Sequence, residues 1–179
     1  MVFFNVILVA TALSLDAFAT MSANYSAYEK AGLKSKIFVV VLISILHAFF
    51  AFLGYTVCGL IGVANSKYFK WVVVVLFLVL TLKSLFEKER RIKNSIAIGK
   101  CVLQAVVTSV DAFVGGITLS VEPTEFYLII ISIFAVTLIM TTLGLVLGKV
   151  LSNGLKSSSK YVSALFFTVL FIKSIIGLR

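Results

Sequence analysis

Ser14-Leu15-Asp16-Ala17-Phe18 stands near the middle of a long apolar run, and the chain repeats it 95 residues later as Ser109-Val110-Asp111-Ala112-Phe113. Only seven acidic residues occur in the whole sequence, and these two are the ones flanked by hydrocarbon on both sides. An Asp at mid-membrane depth costs about 2.5–3.5 kcal/mol on insertion scales, so it is rarely there without a task. Two acids in matching settings make the rest of the chain read as a frame around the pair.

Working outward, a chain of 179 residues that is 61% apolar, with a mean hydropathy of +1.15, is not a soluble globular domain. A bilayer-spanning helix needs about 20 mostly apolar residues. Six such segments cover almost the full length: Val2 to Asn24, Ile37 to Ala64, Trp71 to Phe86, Cys101 to Val121, Phe126 to Gly148 and Tyr161 to Leu178. The first has no basic stretch before it and no small-residue cleavage site, so it reads as a retained span rather than a leader.

Asp16 is the only charge in segment 1, and Thr20 and Asn24 follow it four and eight residues on, hence on its face. In segment 4 the Asp111 face carries Gln104, Thr108, Gly115 and Thr118. The Gly115-Gly116 pair is expected to loosen that helix just past the acid. Segment 2 holds His47, the only histidine. Segment 5 has a stripe of Thr137, Thr141, Gly144 and Gly148, a close-packing face.

The halves match beyond the Asp motif. Leu53-Gly54 in segment 2 echoes Leu143-Gly144 in segment 5, Lys67-Tyr68 echoes Lys160-Tyr161, and Lys83-Ser84 echoes Lys173-Ser174. The expected fold is therefore an all-α membrane protein of six transmembrane helices. Residues 1–88 and 101–179 form two three-helix repeats, joined by a charged connector at 89–100. Three spans per repeat bring the second copy into the membrane from the opposite side, an inverted-topology arrangement typical of secondary transporters with midplane sites. Eleven of the sixteen Lys and Arg residues fall in the loops after segments 1, 3 and 5. That side is expected to be cytoplasmic, with both termini on the outer face of the cytoplasmic membrane.

The same placement explains the net charge of +9 without nucleic acid as a partner. Cys58 and Cys101 stand alone in apolar runs and read as buried thiols. One histidine and no nucleophile constellation argue against an enzyme.

Two carboxylates brought together at the midplane cannot both stay ionised without a cation. Carboxylate, hydroxyl and amide oxygens suit a hard divalent ion such as Mn²⁺, Mg²⁺ or Ca²⁺. Ser14, Ser109, Thr20, Thr108 and Gln104 are the candidate oxygens around Asp16 and Asp111, either as ligands or as supporting bonds. The alternative is that each Asp is protonated and bonds a neighbouring helix as structural glue. His47 is either a borderline metal ligand or proton carrier, or a hydrogen-bonded core histidine.

The runs Leu13-Ser14-Leu15-Asp16-Ala17-Phe18-Ala19, Thr108-Ser109-Val110-Asp111-Ala112-Phe113-Val114-Gly115-Gly116 and Thr137-Leu138-Ile139-Met140-Thr141-Thr142-Leu143-Gly144 resemble the bacterial manganese efflux pump family (MntP-type), within the lysine-exporter superfamily. The resemblance covers essentially the whole chain. It implies Mn²⁺ export across the cytoplasmic membrane with the two Asp residues as metal site, Mn²⁺ being the transported substrate and no resident cofactor being needed. His47 lies seven residues before Gly54, where the resemblance leads one to expect Glu or Gln. The expected partners are a divalent metal ion and membrane lipid, with a homo-oligomer left open. An exporter of amino acids or other small molecules and a non-transporting membrane scaffold are the other readings.

Overall fold

Apolar runs of this length can satisfy their backbone N–H and C=O groups internally only as helices when no water is at hand. The computed structural model describes residues 2–29, 31–61, 67–86, 98–120 and 125–154, plus isolated helical positions at 168–169, 171–172 and 175. All regular structure among the described residues is α-helical: α1 Val2–Ala23, α2 Tyr25–Glu29, α3 Leu33–Ile61, α4 Lys67–Phe86, α5 Ile98–Leu119 and α6 Phe126–Gly154. Two stretches, Leu33–Leu60 and Phe126–Gly148, are long and apolar enough to cross a membrane, and Val6–Ser22, Trp71–Leu82 and Ala105–Leu119 are shorter apolar helices. The chain is an all-α membrane protein. The basic connector, the turn around Pro123 and most of segment 6 lie outside the described residues.

Five of the expected segments are present with shifted ends. Helix α3 begins at Leu33 and α4 at Lys67, four residues earlier than expected in each case. The loop after segment 1 contains the one-turn helix α2, whose Tyr28 is fully buried. The glycine pair in α5 interrupts nothing, since the helix runs unbroken through Gly115 and Gly116 to Leu119. Both glycines are there for close approach. A Cβ at Gly116 would fall on the Ala51 carbonyl oxygen of α3, and one at Gly115 on the Leu13 side chain of α1.

The packing crosses between the halves. Helix α1 lies along α6 and α3 lies along α5, while α3 also meets α6 and α1 touches α5 more lightly. In the first pair a Cβ at Gly144 would sit 2.6 Å from the Phe18 carbonyl oxygen, and beside that pair one at Gly148 would sit 2.7 Å from the Tyr25 Cβ of α2. In the second, a Cβ at Gly54 would fall on the Phe113 carbonyl oxygen. Phe18 and Phe113 are the closing residues of the two motif copies, and Gly54 and Gly144 are the glycines matched between segments 2 and 5. The two close contacts are therefore one contact made twice. Close approach of small residues replaces the hydrophobic drive that helices lack among apolar neighbours.

Two apolar clusters order the helices along their length. The first takes Val6 to Leu13 of α1, Ala51 and Cys58 of α3, Ala112 and Leu119 of α5, and Ile129 and Ile133 of α6. The second takes Ala17 to Met21 of α1, Val39 to Ile43 of α3 and Ala105 of α5, with Leu138 and Leu145 of α6 against it. Helices α1 and α6 enter the first cluster and leave through the second, whereas α3 and α5 run the other way. The rings of Phe52 and Tyr55, late in α3, meet Phe126 at the start of α6 at centroid distances of 5.4 and 5.0 Å, in agreement with that opposition. The outer faces stay apolar, with Ile45, Phe49 and Leu60 on α3 and Ile131, Ile139 and Val146 on α6 all exposed.

Candidate cation site in the polar belt

Between the two apolar clusters, each of the four packed helices contributes polar side chains at about mid-length. These are Ser14 on α1, Ser44 and His47 on α3, Thr108, Ser109 and Asp111 on α5, and Thr137 and Thr141 on α6, all buried. Asp16 is half-buried at the same level of α1. Buried polar groups are tolerated only when hydrogen-bonded, and the belt's bonds follow the repeat.

The Ser14 hydroxyl gives its one proton to the Ala10 carbonyl at 2.6 Å. Its 2.9 Å contact with Thr137 Oγ1 is therefore donated by Thr137. In the other half, the Ser109 hydroxyl donates to the Ala105 carbonyl at 2.7 Å and stands 2.9 Å from His47 Nδ1. Nδ1 also faces the Ile43 carbonyl oxygen at 3.1 Å. Both neighbours of Nδ1 act as acceptors, which places a ring proton on Nδ1. Each motif serine thus accepts one bond from the helix that crosses it. The donors are matched too, because Thr137 lies seven residues before Gly144 and His47 seven before Gly54.

The acids lie elsewhere on their helices. Two residues advance an α-helix by about 200°, so Asp16 and Asp111 point away from the sides on which Ser14 and Ser109 are pinned. Their faces carry Thr20 on α1, and Thr108 and Gly115 on α5. Gly115 is the residue packed on Leu13, at the α1–α5 contact. Thr108 bonds its own helix through the Ala105 carbonyl at 3.1 Å. Farther along the Asp16 face, Asn24 is buried with its amide donating to the Thr20 carbonyl at 2.9 Å. Gln104 belongs to α5, but its side chain is outside the described ones. Among the described residues no three His, Cys, Asp or Glu side chains gather as a metal cage. A cation here would rest on two carboxylates and neutral oxygens, a donor set suited to hard divalent ions.

Thr137, like Thr141, is a belt residue that the sequence presents only as part of a packing stripe. The signal lay in its equal offset from the matched glycine, which makes it the counterpart of His47.

Comparison with known proteins finds a family and a relative. The family described as "Putative manganese efflux pump" matches residues 30–175. A protein of Methanosphaera stadtmanae named "Putative manganese efflux pump MntP" is 24% identical over 178 residues, covering 97% of this chain and 98% of that protein. No solved structure matches.

Proposed function

This chain belongs to the manganese efflux pump family, and from that premise we propose that it exports Mn²⁺ through a midplane site built on Asp16 and Asp111. The observation that carries the reading is the register of α1 and α5. These helices run oppositely through the two apolar clusters, with Leu13 against Gly115. Three residues on from Leu13 is Asp16, and four back from Gly115 is Asp111; one further turn each way pairs Thr20 with Thr108. In an antiparallel pair these steps bring the two acids level, with a threonine from each helix beside them. Ser14 and Ser109, with Thr137 and His47 bonded to them, lie on the opposite sides of these two helices.

The architecture belonging to this reading is six spans in two inverted three-helix repeats, residues 1–88 and 101–179 about the 89–100 connector. It is supported by the opposed course of the motif helices α1 and α5, and by the crossed pairs α1–α6 and α3–α5 making equivalent contacts. An intramembrane carboxylate pair facing a protein seam rather than lipid is the usual mark of an ion path.

The direct test is metal content. Cells making the protein, challenged with excess Mn²⁺, should hold several-fold less Mn by elemental analysis than cells lacking it, with Mg and Ca unchanged. Equal Mn in both strains defeats the reading. The basic residues further predict that a single cysteine within 87–100 is shielded from an impermeant thiol reagent in intact cells, while one replacing Glu122 is labelled. The reverse pattern overturns the orientation, and with it the export direction.

A further inference from the structure

We propose that Thr137 and His47 are a matched pair of positioning residues, whose bonds to Ser14 and Ser109 set the rotation of α1 and α5 that turns Asp16 and Asp111 into the seam. The inference rests on the Asp16–Asp111 reading and adds the device that holds it.

Among apolar neighbours hydrophobicity alone leaves a helix free to rotate about its own axis, because one hydrocarbon face serves as well as another, and only specific contacts such as the glycine approaches restrict it. A hydrogen bond from one side chain to a crossing helix removes that freedom. The two bonds are suited to the task. Both are 2.9 Å long, and Ser14, Ser109, Thr137 and His47 are each fully buried. Each serine precedes its acid by two residues, so pinning the serine to one side commits the carboxylate to the other. The glycine contacts at Gly54 and Gly144 bring the paired backbones close enough for these short side chains to reach.

The chemistry of the bond is conserved between the halves although the donor is not. A threonine hydroxyl donates in one half and an imidazole Nδ1–H in the other, and in both the serine accepts while its proton goes to the carbonyl four residues back. That equivalence separates a positioning role for His47 from a ligand role. A threonine at position 47 reproduces the bond that Thr137 makes; a valine has the threonine's shape and leaves the same space, but makes no bond.

The test measures initial Mn²⁺ uptake by everted membrane vesicles over a range of Mn²⁺, each variant normalised to its amount in the membrane. His47→Thr should keep an apparent KM within about threefold of wild type. His47→Val and the isosteric Thr137→Val should each raise it about tenfold, the scale of one buried hydrogen bond, with the maximal rate within about twofold. A merely structural loss would lower the amount of protein and leave KM unchanged. Equal impairment of His47→Thr and His47→Val overturns the proposal in favour of imidazole as a ligand, and wild-type KM in Thr137→Val overturns it outright. Ser14→Ala, which deletes the acceptor with little change of volume, should match Thr137→Val, and an unaltered KM there counts against the proposal equally. Asp16→Asn in the same assay separates the two layers. If it transports normally the shared cation site fails, whereas if it is inactive while the valine variants match wild type, only the positioning role fails.

Discussion

Asp16→Asn and Asp111→Asn should each reduce protection against excess Mn²⁺ to the level of cells without the protein, while inserting into the membrane at near wild-type amounts. Asn imitates a protonated carboxyl group. It keeps the volume and most hydrogen bonds of a protonated Asp but carries no charge. Were the acids structural glue, both variants would work almost normally. A carboxylate that ligates a divalent cation in a low-dielectric belt is a charge-assisted partner at its strongest. Loss of a supporting partner outside the ligand set already costs about 10–100-fold in metal affinity, so loss of a ligand should cost at least on the order of 100-fold. The double variant should be little worse than either single, since residues acting as one unit are not additive. Full protection by either correctly inserted single variant would falsify the shared site.

The second large effect is steric. A Cβ at Gly54 would fall on the Phe113 carbonyl oxygen, a backbone atom that cannot rotate aside. Gly54→Val should therefore force α3 and α5 apart and destabilise the detergent-solubilised protein by about 3 kcal/mol, the upper end for overpacking. Thermal unfolding followed by scanning fluorimetry reads this as a clear fall in melting temperature. Gly59, on the same helix, has no atom within 4 Å of its would-be Cβ. There Gly59→Ala should be neutral or raise stability by up to about 1 kcal/mol, the ordinary helix preference for Ala. Similar melting temperatures for the two variants would remove close approach as the reason for Gly54.

The long apolar helices and the repeated Asp motif were legible because length, hydropathy and internal repetition are properties of the chain alone. The belt was legible in outline for the same reason: Ser14 and Asp16 recur as Ser109 and Asp111, with Thr108 at helical spacing from the second acid. What escaped depended on partners far away in sequence. Nothing local distinguishes a glycine that loosens a helix from one that admits a carbonyl, so Gly115-Gly116 read as a weak point until Leu13 and Ala51 were found against it. Thr137 read as packing because its bond to Ser14 spans 123 positions. Helix α2 is five residues long, too short to display any periodicity. The early start of α3 was hidden by Lys34 and Lys36, which look like loop residues although a long side chain can run along a helix end toward water.

The crossed pairing bears on how such a protein is made. Each motif helix finds its tight partner in the opposite half, α1 in α6 and α5 in α3, and among the described residues α1 and α3 share no extended contact. A nascent chain that has left the ribosome only as far as α4 can form its apolar helices, but it holds glycine and serine faces with nothing yet to receive them. Assembly of the bundle is then a late event that waits for synthesis to finish, unlike the domain-by-domain folding usual in longer chains. Two separately translated halves carry complementary faces and have more reason to bind each other than to fold alone.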